Sequence, residues 1–239
     1  MIKIPHMRNI ILAVFVVALF FAPNIQAQKV YSSNQIKLIF SNAPGISRGT
    51  ENIASPMRFT AFFNYSTFLN VDLTKYLGVS IGLEIKNIGV ILKDSAFSTK
   101  HRAYALGVPL YLRLGNMDKK WYFLAGAQYD YLFAYKEKVF VDDAKIKRHP
   151  YNSVRPFIPS VFIGFKAKSG ASVSVHYMLQ NFFTDDYRFK DPRDNHELPG
   201  YNNSQLLYFT IGFMGDVNRK KTKQSTPADD KREVYSRNH

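Results

Sequence analysis

Residues 171–183 read ASVSVHYMLQNFF, and their alternation decides the fold. Val173, Val175, Tyr177 and Leu179 share one parity, while Ser172, Ser174, His176 and Gln180 share the other, with Met178 the apolar exception. Side chains on a strand point alternately to opposite faces, so this is a strand with one apolar and one polar face. The last such segment repeats the pattern, with Leu207, Phe209, Ile211 and Phe213 on one face and Tyr208, Thr210 and Gly212 on the other.

Working towards the N-terminus, the same period of two recurs. Segment 155–166 sets Phe157, Val161, Ile163 and Phe165 against Ser160, Gly164 and Lys166. Segment 121–137 sets Trp121, Phe123, Ala125, Ala127, Tyr129, Tyr131, Phe133 and Tyr135 against Gly126, Gln128, Asp130 and Lys136. Segments 102–114, 77–86 and 58–69 follow suit, and 35–41 is a weaker first strand with Ile36, Leu38 and Phe40 opposite Lys37. Eight strands, an even number, let a closed antiparallel barrel return both ends to one side. The links between them alternate in length. Those at 70–76, 115–120 and 167–170 are short; those at 42–57, 93–101, 138–154 and 184–204 are long and charged. Short turns at one end and long loops at the other are the habit of outer-membrane barrels.

Volume decides which face looks out. An eight-stranded barrel has an interior just wide enough for side chains to fill. About four large apolar residues from each strand would overfill it, so the apolar face is expected to meet lipid. Trp121, Tyr122, Phe133, Tyr135, Phe182, Phe183 and Tyr208 lie near segment ends, where interfacial aromatic girdles are expected. The expected fold is an all-β, eight-stranded, antiparallel, up-and-down transmembrane barrel spanning 28–216.

Composition narrows the class further. The chain has 239 residues, a formal net charge of +14, 15% aromatic residues and no cysteine. Zero cysteine excludes a disulfide scaffold, a thiolate zinc site, an iron–sulfur cluster and a cysteine nucleophile. Residues 1–27 read as a secretory signal peptide: Lys3 and Arg8, then the apolar run from Ile10 to Phe21, then a break at Pro23 and cleavage after Ala27. Export argues against nucleic acid as a partner despite the basic charge. The expected location is the outer membrane, with lipid and lipopolysaccharide as surroundings.

At this point the chain resembles the small outer-membrane β-barrel proteins of Bacteroidota, the PorT-like group. The resemblance rests on the signal peptide, the turn Asp72-Leu73-Thr74-Lys75-Tyr76-Leu77, the segment from Tyr104 to Arg113 (YALGVPLYLR), and the strand Trp121-Tyr122-Phe123-Leu124-Ala125-Gly126. It covers the mature chain to about residue 216 and implies fold and location more strongly than role. Some members of the group serve a gliding or type IX secretion apparatus. The departure is at the end, because in the common pattern the last strand closes the chain and here 217–239 follows it.

The polar face carries the candidate chemistry. Lys37, Arg58, Glu84, Lys86, Arg113, Asp130, Lys166 and His176 all fall on it. Charges removed from water must pair, so they are expected to form an ionic plug that closes the lumen. The alternatives are a narrow channel for ions or small solutes and a titrating lumen centred on His176. A lipid A-modifying enzyme is a third reading, but Ser174 and His176 lie on the polar face and their spacing suggests roughly 6–7 Å between side chains. No catalytic set is therefore assigned, and no cofactor or metal site. The carboxylates at 185, 186, 191 and 194 lack the fixed-glycine spacing of a calcium loop, and basic residues lie among them. Loops 138–154 and 184–204 are read as solvated. The tail 217–239 has seven Lys/Arg against three Asp/Glu. It is expected to be a disordered periplasmic extension, with docking to a periplasmic protein or peptidoglycan as its functional alternative.

Overall fold

The computed structural model describes residues 29–94, 97–141, 144–149, 152–191, 193–194 and 196–217. The expected signal peptide and all of the expected tail except Val217 lie outside these residues. In chain order the strands are β1 (Lys29–Asn42), β2 (Ser47–Arg48), β3 (Glu51–Asn52), β4 (Arg58–Thr60), β5 (Tyr65–Asp72), β6 (Leu77–Lys93) and β7 (Ser98–Asn116). They continue with β8 (Trp121–Val141), β9 (Ala144–Arg148), β10 (Phe157–Lys166), β11 (Ala171–Met178), β12 (Phe189–Lys190), β13 (Glu197–Leu198) and β14 (Leu207–Val217).

Eight of these close a ring in the order β1, β5, β6, β7, β8, β10, β11, β14, every neighbour antiparallel. Closure is made by β1 and β14, paired from Ser32↔Val217 to Asn42↔Leu207. The β4 strand resumes the β5 stave on β1 beyond an interruption at 61–64, where Phe63 takes a positive φ of 63°. The β9 strand folds back on the upper part of β8, and β2–β3 and β12–β13 are small hairpins within the long connections.

The outward face is the apolar one. Leu106, Val108, Leu110, Leu112, Phe123, Ile163, Val175 and Phe213 are all exposed, Ile163 at 66%. A belt of this kind encircling a closed ring far exceeds the apolar patch a soluble monomer shows, and it is the surface of a membrane-spanning barrel. Ser33, Ser66, Asn70, Ser80, Gln128, Ser160 and Thr210 point inwards and are buried.

Several strand boundaries and facings differ from expectation. The link at 93–101 is a tight hairpin, because β6 runs on to Lys93 and β7 begins at Ser98. The first strand is long, from Lys29, whereas 58–69 is broken in two. In β8 the register against β7 shifts between Tyr104 and Ala105, and Phe133 and Ala134 are both exposed. This bulge inverts the alternation beyond it, so Tyr135 turns inwards and Lys136 outwards, opposite to a strict period of two. Of the expected girdle, Trp121 and Phe133 are exposed, but Tyr122, Phe182, Phe183 and Tyr208 are buried inside. Strand β11 ends at Met178, and the chain after it folds over the barrel mouth.

Candidate functional site

The interior is filled in three tiers. Inward residues of β1, β6, β8, β11 and β14 converge at the middle. Lys37 Nζ lies 2.8 Å from Glu84 Oε2, and Lys86 Nζ lies 2.9 Å from Asp130 Oδ2. Gln128 joins the two pairs, its Nε2 donating to Glu84 Oε2 at 3.2 Å and to Asp130 Oδ1 at 2.8 Å. Lys86 also donates to the Tyr208 hydroxyl at 2.8 Å. Two cations face two carboxylates, so the layer is neutral as a whole, the condition under which buried charge is tolerated. Gly107 makes room for it: a Cβ there would come within 2.3 Å of Gln128 Nε2 and 2.4 Å of Asp130 Oδ1.

His176 belongs to the same tier but pairs with no carboxylate. Its ring stacks between Phe162 and Tyr208, with centroids at 4.7 and 4.5 Å. Its Nε2 lies 2.8 Å from Ser174 Oγ, which in turn lies 2.7 Å from Thr210 Oγ1. The separation of 6–7 Å expected from strand spacing is thus corrected: it describes Cβ positions, whereas the two side chains lean towards each other along the strand. Nδ1 has no partner among the described residues, so the pair lacks the acid that would orient a catalytic imidazole. The space left beside these groups is about 20 Å³, lined by Gln35, Lys37, Glu84, Ser172, Ser174 and His176 among others. That is the room of about one water.

The basal tier lies near the short turns. Arg113 pairs with Asp72 at 3.0 Å and donates to the Tyr31 hydroxyl at 2.7 Å and to the carbonyls of Val71 and Val79. Its guanidinium lies over the Tyr31 and Tyr122 rings. Gly78 leaves the space, since a Cβ there would meet Arg113 at 2.6 Å. Lys166 lies over the Tyr122 ring and donates to the Lys120 carbonyl at 3.3 Å. Strand alternation does not name Asp72, Tyr31 or Tyr208 as partners of these charges. Only inward parity marked Tyr208, and nothing local linked Asp72 to a residue 41 positions later.

The upper tier is an apolar roof. Loop 184–204 does not extend into solvent as expected: Tyr187, Phe189, Tyr201 and Ser204 are buried, as is Leu206 just beyond it. Tyr187, Phe189, Tyr201 and Leu206 pack with Phe182, Phe183, Phe97, Ile39, Ile88, Val90 and Val139. Phe97 stacks on Phe189 at 4.6 Å, and Arg48 lies over Phe97, Phe189 and Tyr201 while pairing with Asp94 and bonding the Tyr201 hydroxyl. Backbone bridges Ser47↔Asn202 and Val154↔Phe183 tie three connections together. His101, above the apolar belt, is enclosed here. Its ring nitrogens contact the Tyr135 hydroxyl at 2.6 Å and Thr99 Oγ1 at 2.8 Å. Burial, aided by the charge of Arg48, pushes its pKa down to about 3.

Arg58 departs from the expected pairing. It is fully buried and donates from Nη2 to Asn87 Oδ1 at 2.7 Å, but Nε and Nη1 meet no acceptor among the described residues. Of the expected ionic cluster, the structure therefore joins Lys37, Glu84, Lys86 and Asp130 in one network and places His176 against it. It seats Arg113 and Lys166 around Tyr122 below, and sets Arg58 apart. Among the described residues, no group of three His, Asp or Glu is placed to hold a metal ion.

No family model matches the chain, and no curated protein matches it. Among solved structures it is similar to Ail, the attachment invasion locus protein of Yersinia pestis, at 10% identity over 79% of this chain and 100% of that one, with a TM-score of 0.33. OprG of Pseudomonas aeruginosa is 11% identical over 80% and 99%, with a TM-score of 0.38. CarO2 of Acinetobacter baumannii is 12% identical over 80% and 100%, with a TM-score of 0.40. At these scores the barrel rests on the strand register of the chain itself.

Proposed function

We propose that the chain is a closed, non-enzymatic barrel of the bacterial outer membrane, exported by the leader at 1–27 and released after Ala27. The observation that carries this reading is the filled interior: an ionic layer and an apolar roof lie in series, with space for about one water between the mid-height groups. Such a lumen suits a protein acting as an anchor, or as one subunit of a secretion or envelope assembly reached through its ends. The PorT-like resemblance favours a type IX-like secretion role. The basic tail 217–239 is a fitting contact for a periplasmic protein or for peptidoglycan.

Purified wild type in planar bilayers is expected to show no stable conductance; steady channels would establish the narrow-pore reading instead. Unchanged lipid A mass spectra in overproducing cells are expected, and a new lipid A species would identify an enzyme. For the partner, co-purification from detergent-solubilised membranes with and without 218–239 is decisive. A companion lost on truncation supports assembly membership, and none in either case refutes the tail's docking role.

A further inference from the structure

Just above the apolar belt, the outward face of β7, β8 and β9 carries rows of like charge. Arg102 pairs in register with Lys136, Lys100 with Lys138, and Lys138 in turn with Lys147. Lys145, one step higher, lies over the Phe140 ring. Residues directly opposite in an antiparallel sheet share a face with Cβ atoms about 4.5–5.5 Å apart, and like charges so placed destabilise the sheet. None of these six cations has a carboxylate partner among the described residues. Of the described acids nearby, Glu137 points inwards to Tyr187, and Asp94 pairs with Arg48. Lys100 and Lys138 have pKa values below the ordinary lysine value, through partial burial and then through neighbouring cations, Arg58 and Arg102 for the first and Lys145 and Arg102 for the second. The buried Arg58, which meets no carboxylate among the described residues, adds its field to the same face.

We propose that this face binds the phosphate group of a phosphorylated outer-leaflet glycolipid, whose acyl chains lie along the belt beneath it. The occupant follows from position and charge. Immediately below the rows lie Tyr104 and Phe133, with ring centroids 6.4 Å apart, and Phe63 packs edge-on against Tyr104. Phe62 beside it is 77% exposed. Leu106, Val108 and Leu110 continue the same outward line downwards. Outward side chains at this height face the polar layer of adjacent lipids, not the space above the roof. Phosphate oxygens are acceptors for these six cations, in charge-assisted bonds that strengthen at the water–lipid boundary.

The proposal rests on the reading of the chain as an outer-membrane barrel, and the test separates the two. Full-length protein folded in detergent is titrated, by native mass spectrometry, with phosphorylated lipid A, with dephosphorylated lipid A, and with inorganic phosphate. Phosphorylated lipid A is expected to bind about tenfold or more tightly than the dephosphorylated form. The combined variant Lys100→Gln, Arg102→Gln, Lys138→Gln is expected to lose that preference, and equimolar inorganic phosphate is expected not to compete. Equal binding of the two lipids, or an unchanged preference in the variant, overturns the proposal. Full competition by inorganic phosphate also overturns it, showing a free-anion site. Heat-modified gel mobility checks folding; where the triple variant does not fold, Lys145→Gln with Lys147→Gln, on a hairpin outside the closed ring, carries the same expectation. A chain that never inserts into phospholipid vesicles refutes the barrel reading, whereas failure of the lipid preference alone leaves insertion intact.

Discussion

At the scale of single residues, the mid-height network shows what alternation can and cannot foretell. Parity alone placed Lys37, Glu84, Lys86, Asp130 and His176 on one face, because side-chain direction on a strand is local. Which acid takes which base depends on register between strands far apart in sequence, as with Lys86 and Asp130, 44 positions apart. Both members of that pair are fully buried, so removing one strands the other. Lys86→Met is expected to lower stability by about 3–5 kcal/mol, and adding Asp130→Leu to recover most of the loss. Urea unfolding in lipid vesicles measures both; equal losses in the single and double variants would show that the pair is not the unit of stability.

His101 gives the residue scale its pH dependence. A histidine held neutral by burial stabilises the fold fully above the unfolded value of about 6.5. The stabilisation falls as pH drops, because the unfolded state takes up the proton first, and it levels off below the folded value of about 3. Opening of the roof is therefore expected to grow by up to about tenfold per pH unit within that window. Hydrogen exchange of 182–206 reads it. Glu137 titrates in the opposite sense, since burial raises its pKa despite Arg148, so the difference between wild type and His101→Gln isolates the histidine. A pH profile identical in the two proteins would exclude His101 as the cause.

At the scale of elements, one bulge redirects the upper part of β8. The strand is legible as a strand over its whole length, yet an extra residue at Phe133–Ala134 carries no signature in an alternating pattern of aromatics and alanines. Its effect is to bring Tyr135, Glu137 and Val139 into the barrel and to turn Lys136 and Lys138 out. Inserting one alanine after Ala134 shifts the parity once more and is expected to reverse these facings, breaking the Tyr135–His101 contact. The roof would then be cut by protease at loop 182–206 in folded protein that is otherwise resistant. Unchanged resistance would mean that the roof is held without β8. The roof itself was unreadable for a related reason: segment 184–204 is rich in charge, and its few aromatics, Tyr187, Phe189 and Tyr201, have no period that a search for regular structure detects.

At the scale of the molecule, the two seals act in series. Replacing 182–206 by a short linker is expected to leave the barrel non-conducting, because the Lys37–Glu84–Gln128–Asp130–Lys86 layer still crosses it. Adding Glu84→Ala and Asp130→Ala to that deletion is expected to produce channels in planar bilayers. Channels from the loop deletion alone would show that the roof is the sole seal.

The sequence by itself determined the number of staves, their antiparallel order and the face turned to lipid, since period, link length and side-chain volume are properties of the chain read locally. Tertiary structure alone decided the partners of the buried charges, the inversion of β8, the inward folding of the 179–206 connection and the gathering of cations above the belt. Each of these depends on register or on contacts across the barrel, where residues distant in sequence compete for the same small interior.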